Sequence, residues 1–195
     1  MRKSFLFIIG LCFLMIFMSA KTQTDNGKIY WNSAYRLSFS DFKGSPTQED
    51  TLLRKVDSLN ATHKLGAISK SLDVQLTTKS GKTIFKIYAG MEQFNSWIKN
   101  KNDSISLKHE QGHFDICEIY ARILRKEIKK AKTLAEANSM FTKISDDENY
   151  EQDKYDNENT FESGGITNNW KENIKKRLNE LGAYQEPVVT LPIYK

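Results

Sequence analysis

Two histidines and a glutamate carry the chemistry that this sequence offers. They are His109, Glu110 and His113, in the run Leu107-Lys108-His109-Glu110-Gln111-Gly112-His113-Phe114-Asp115-Ile116. On a helix, positions four apart share a face, one turn above the other. That spacing lets two imidazoles grip one zinc ion, with Glu110 beside them to take a proton from water. The bland alternative is two ordinary helix histidines beside a surface glutamate. Three features favour the metal: the segment reads as helical, the histidines continue an apolar stripe, and the chain begins like an exported one.

A catalytic zinc takes three protein ligands and keeps a fourth position for water. A third histidine six residues after the second is excluded, because position 119 is Ile. His63 lies in a polar stretch and is a poor candidate. Glu118 is near in sequence, but helix geometry puts it roughly 160° from the middle of the two histidines. It is expected to tie the helix to a neighbour instead. The third ligand should come from a later element packed against this helix. The acidic stretch from Asp146 to Glu158 is the natural source, although most of its carboxylates read as a solvated face.

The elements that must position these groups form one domain. The chain has 195 residues, 39% hydrophobic and 27% charged, enough for a real core. Residues 1–20 read as a signal peptide: Arg2 and Lys3, then an apolar run from Phe5 to Met18, then Ser19-Ala20. That run of 14 residues is short of the roughly twenty that span a bilayer, so no stable membrane span is expected after cleavage. Residues 21–195 are then a single exported domain, periplasmic or extracellular. Loss of Arg2 and Lys3 takes its net charge from +5 to +3, which is too little to argue for nucleic acid or an anionic membrane. Cys12 leaves with the signal, and Cys117 alone cannot close an intrachain disulfide. Cys117 reads as a small buried residue. Oligomeric state is not readable from the sequence.

Within the domain, alternation over Leu37–Phe42 predicts a strand. Gly66–Ala89 predicts a hairpin turning at Lys79-Ser80-Gly81-Lys82, with Phe94 and Trp97 as core aromatics. A long helix is predicted from Ser104 to Lys132, capped by Asp103 or Ser104. Its buried stripe runs through His109, His113, Ile116, Cys117, Tyr120, Ile123, Leu124 and Ile128, so both histidines point inward, toward the sheet or a cleft. Arg122, Arg125, Lys126, Lys129 and Lys130 cover the opposite side. Thr133 caps a second helix through Ile144, and the acidic stretch follows it. Gly164-Gly165 breaks the chain. Trp170 to Leu181 form a last helix ended by Gly182, and Pro187 and Pro192 make an extended tail, an edge strand or a strap.

The run His109-Glu110-Gln111-Gly112-His113-Phe114-Asp115-Ile116, with Glu118 and Tyr120-Ala121-Arg122 after it, resembles the bacterial domain-of-unknown-function 922 family of predicted secreted zinc-dependent proteases. Weaker pieces of the resemblance are Leu37 to Gly44, Phe94 to Trp97, Tyr155-Asp156 and Trp170, together spanning about residues 30–182. The resemblance implies an α+β, zincin-like fold: a small antiparallel sheet packed on an active-site helix, with two or three further helices. It implies Zn2+ held by His109 and His113, a catalytic Glu110, and Asp156 as first candidate for the third ligand. Family members often carry a histidine a few residues further on. This chain has Thr160-Phe161-Glu162 there, which makes Glu162 the second choice.

The expected function is therefore a zinc-dependent peptidase acting on a peptide or protein substrate. Tyr120 or Tyr155 could steady the oxyanion, a structural role being at least as expected for both, and an exposed hairpin edge could hold an extended peptide. The rival expectation is a non-catalytic envelope module that keeps zinc as a scaffold and binds peptide or protein.

Overall fold

A computed structural model describes residues 24–46, 65–159 and 164–192. The signal segment, His63 and Glu162 lie outside the described residues. The architecture is α+β. Strand β1 (Thr24–Asp25) turns tightly into β2 (Lys28–Tyr30). After β3 (Gly66–Ala67) come the two long strands of the sheet, β4 (Lys70–Lys79) and β5 (Lys82–Glu92), and then β6 (Trp97–Ile98). Helices α1 (Ser104–Glu127), α2 (Leu134–Glu158) and α3 (Asn168–Glu180) follow, and β7 (Val188–Pro192) closes the chain.

The expected hairpin is β4–β5, all antiparallel, with Lys79 opposite Lys82 across a Ser80-Gly81 turn. Both turn residues have positive φ, 51° and 70°, which suits the tight two-residue connection. β5 is the centre of the main sheet. β4 runs along one side, while β2 and β7 share the other, end to end. The tail is thus a strand on β5, one of the two forms expected of it. Gly66–Ala67, expected at the start of the hairpin, instead pairs with Trp97–Ile98 in a separate two-stranded sheet.

Helix α1 is the middle layer. Asp103 caps it, its carboxylate accepting from the Ile105 and Ser106 amides at 3.0 and 3.2 Å. One side packs on the sheet through Phe114, Cys117 and Leu124 against Ile29, Phe85, Ile87 and Met91. Another packs on α2 and α3 through Ile116 and Ile119 against Tyr155, Trp170 and Ile174. Every residue from Gly112 to Ile119 is buried, so the helix is enclosed rather than striped. Cys117 is a free, buried thiol, as read from the sequence.

Four expectations are corrected. Leu37–Phe42 is not a strand: Phe39–Asp41 form a turn of 3-10 helix, because Asp41 accepts from the Tyr35 hydroxyl at 2.7 Å and the Ser38 amide at 2.7 Å. Phe94 is 64% exposed, lying over the Asn26-Gly27 turn, while Trp97 is buried as expected. The second helix does not stop at Ile144; α2 carries the whole acidic stretch to Glu158. Arg122 and Arg125 do not face solvent. They are 4% and 2% exposed and clasp the buried Glu118 at 2.8 and 2.9 Å.

That cluster binds α1 to its surroundings. Arg125 also donates to the carbonyls of Ile87 on β5 and of Tyr184 and Gln185 near the chain's end, and Arg122 to that of Leu178 on α3. Glu118 itself pairs with two arginines of its own helix, and it is these that reach the neighbouring elements, on the face turned from the histidines. Removing one member of a buried charge cluster strands the others, at a cost of about 3–5 kcal/mol. Glu118→Ala is predicted to lose that much stability in urea denaturation; a loss under about 1 kcal/mol would contradict the role given to it.

Candidate metal centre

His109 and His113 face α2 and the glycine loop before α3, not the sheet. His109 Nε2 and His113 Nε2 lie 3.0 Å apart. Asp156 Oδ1, from the last turns of α2, is 3.0 Å from the first and 2.9 Å from the second. These three residues form the group among the described residues that could hold a metal ion. A tetrahedral zinc with ligand atoms at roughly 2.0–2.1 Å has ligand–ligand edges of roughly 3.3 Å, close to this triangle.

The hydrogen bonds behind the imidazoles decide what the triangle presents. His109 Nδ1 lies 2.9 Å from the Gly165 carbonyl oxygen, which can accept but not donate. Nδ1 therefore carries the hydrogen, and in the neutral ring Nε2 keeps a lone pair. His113 Nδ1 lies 2.5 Å from Gln152 Oε1, again an acceptor, so its Nε2 is likewise a lone pair. Two imidazole lone pairs and a carboxylate oxygen thus converge on one point. Such a point could hold a metal ion.

Gly165 reaches His109 because its backbone adopts φ of 82°, and because a Cβ there would sit 2.5 Å from the Ile105 carbonyl oxygen. Asn159, capping α2, accepts from the Thr167 amide at 2.6 Å and donates to the Tyr155 carbonyl at 2.8 Å, which joins the start of α3 to the end of α2. Tyr155 is fully buried beneath the pair, stacked 5.0 Å from the His109 ring and edge-on 4.8 Å from His113. Its hydroxyl donates to the His109 carbonyl at 3.1 Å. That reach requires Gly112, where a Cβ would lie 2.0 Å from the hydroxyl oxygen.

Asp156 keeps 58% of its side chain exposed, against 19% for His109 and 10% for His113, so the triangle opens to solvent on the α2 side. Glu110 is 3% exposed and lies against β3, its Oε1 2.9 Å from where a Cβ on Gly66 would stand. Its negative charge helps to raise the His109 pKa.

Of the two roles open to Tyr120 and Tyr155, oxyanion or structural, both have the structural one. Tyr120 donates to Glu151 at 2.6 Å, an interaction shared with Arg177, and Tyr155 is spent on the helix backbone. Gln152, Gly165 and Gly112 were not singled out as site residues by the sequence. A signal existed for one of them: Glu148, Gln152 and Asp156 recur every four residues, on one face of a helix.

Compared with protein-family models, curated proteins and solved structures, the chain gives no significant match. The family resemblance therefore stands on its motifs alone. No helix among the described residues is long and apolar enough to cross a membrane.

Two outcomes follow from this geometry. Gly→Ala inside a helix ordinarily stabilises by about 0.5–1 kcal/mol. Gly112→Ala is predicted to do the reverse, losing about 1–3 kcal/mol in chemical denaturation, because Tyr155 must withdraw.

The second concerns pH in the metal-free protein. Burial alone would lower the His109 pKa, but the Asp156 hydrogen bond and the Glu110 charge outweigh it and raise it above 6.5. Burial pushes Asp156 up, and the hydrogen bonds from both histidines pull it further down, well below 3.8. The His109 contribution is complete below its unfolded pKa and is lost as pH rises through the raised folded value. The Asp156 contribution is complete above its unfolded pKa and is lost as pH falls through the depressed one. Metal-free protein should therefore lose Tm as pH rises from about 6.5 through the raised His109 pKa, and Asp156→Asn should flatten that decline. Parallel curves for the two proteins would contradict the pairing.

Proposed function

We propose that the domain is a zincin-like metallopeptidase, exported to the periplasm or beyond, acting on peptide or protein substrates. The observation that carries the reading is the convergence of His109 Nε2, His113 Nε2 and Asp156 Oδ1 within 3.0 Å of one another, one residue from Glu110. Bound there, Zn2+ would act as a Lewis acid and bring the pKa of water toward neutrality.

The chain's own groups supply the rest. His109 and His113 offer neutral nitrogens whose tautomers are set from behind. Asp156 supplies a negative charge at the solvent-open side and lowers the cation's charge by one. Glu110 is the base: it takes a proton from the attacking water and returns it to the leaving amine as the peptide bond breaks. Its burial against β3 keeps water from surrounding the carboxylate.

A second reading has one observation in its favour. Tyr120 and Tyr155 are both committed to other partners, so among the described residues neither of these two tyrosines is left over for an oxyanion. This is the non-catalytic envelope module, in which the metal only joins α1 to α2. Glu110→Gln separates the two. In the peptidase, the variant binds one zinc per chain and loses about 10²–10⁴-fold in cleavage of an unfolded protein substrate. Wild-type protein with full zinc and no turnover on a peptide library would favour the module.

A further inference from the structure

Behind His113 a chain of hydrogen bonds runs out of the centre to the sheet. His113 Nδ1 donates to Gln152 Oε1 at 2.5 Å. The Gln152 amide nitrogen donates to Glu148 Oε1 at 2.6 Å and to the His113 carbonyl at 3.1 Å. Glu148 Oε2 accepts from Lys70 Nζ, on β4, at 2.8 Å. Glu148 and Gln152 are 4% and 5% exposed, and the Lys70 side chain 17%.

The direction of this chain is fixed from its far end. Lys70 has hydrogens to give and none to accept with. Both Glu148 oxygens therefore accept, one from Lys70 and one from Gln152. The Gln152 amide must turn its nitrogen to Glu148 and to the His113 carbonyl. Its oxygen is left facing His113 Nδ1, which must then carry the hydrogen. His109 differs, because a backbone carbonyl faces its Nδ1 and cannot be turned round. Of the two imidazoles, His113 is the one whose tautomer a side chain decides.

We propose that Glu148 and Lys70 are positioning residues for the metal centre: they set the Gln152 amide, and through it present the His113 Nε2 lone pair to the metal. This rests on the metal reading of His109, His113 and Asp156, and it links that centre to an ion pair between β4 and α2.

Glu148→Gln is the test. An amide at 148 can donate as well as accept, so of the two acceptors that hold the Gln152 nitrogen only the His113 carbonyl stays fixed, and the amide turns its nitrogen to His113 Nδ1 more readily. Imidazole nitrogen-15 shifts, read on metal-free protein at mildly alkaline pH, report the tautomer directly. Wild-type protein is expected to show His113 with hydrogen on Nδ1. The variant is expected to shift His113 toward hydrogen on Nε2, leave His109 unchanged, and weaken zinc binding about 10- to 100-fold. Gln152→Ala, which removes the acceptor altogether, is expected to give the same shift and guards against misfolding of the first variant. An unchanged His113 tautomer in both folded variants overturns the proposal, as does unchanged zinc affinity. Wild-type protein that takes up no zinc overturns the metal reading instead, while the tautomer response still tests the positioning by itself.

Discussion

The close approach of Tyr155 to Gly112 is the contact on which the geometry depends. A side chain at 112 would collide with the hydroxyl, so the two helices meet at this point only because the residue is glycine. With Tyr155 seated on the His109 carbonyl, the next residue of α2, Asp156, is carried to both Nε2 atoms. One turn earlier, Gln152 falls behind His113. The distances within the triangle are thus set by a buried side chain seated on the α1 backbone rather than by long, free side chains, the condition under which a site holds its shape.

The rest of the fold keeps α1 in place for that contact. The sheet covers one side, α2 and α3 the other, and the Glu118–Arg122–Arg125 cluster fastens the face turned from the histidines to β5 and the chain's end. On a further side, Asp115 accepts from the Trp31 indole at 2.8 Å and pairs with Arg36 at 2.9 Å, holding the segment after β2 against the helix. Polar interactions outside the centre anchor the helix; those inside it bring two imidazole nitrogens and a carboxylate oxygen to one point.

The long helix, its Asp103 cap, the hairpin and the two histidines were readable because each rests on a local rule: capping, alternation, and spacing by four. Asp156 was reached through a short Tyr-Asp resemblance. What escaped depends on partners distant in sequence. α2 hides its inner face because Glu148 and Gln152 stand where apolar residues would mark a buried stripe. Arg122 and Arg125 looked like a solvated face, since nothing local announces that distant carbonyls await them. Leu37–Phe42 alternated like a strand until the Asp41 carboxylate gathered Tyr35 and Ser38 into a turn. The Gly165 carbonyl could not be found from sequence at all, because its role is set by one backbone torsion.

The most direct measurement is X-ray absorption at the zinc edge on protein loaded with one equivalent of zinc. The account predicts two imidazoles and otherwise only oxygen at roughly 2.0–2.2 Å, with one imidazole lost in each of the His109→Ala and His113→Ala variants. Failure to retain stoichiometric zinc, or a sulfur ligand, would contradict it.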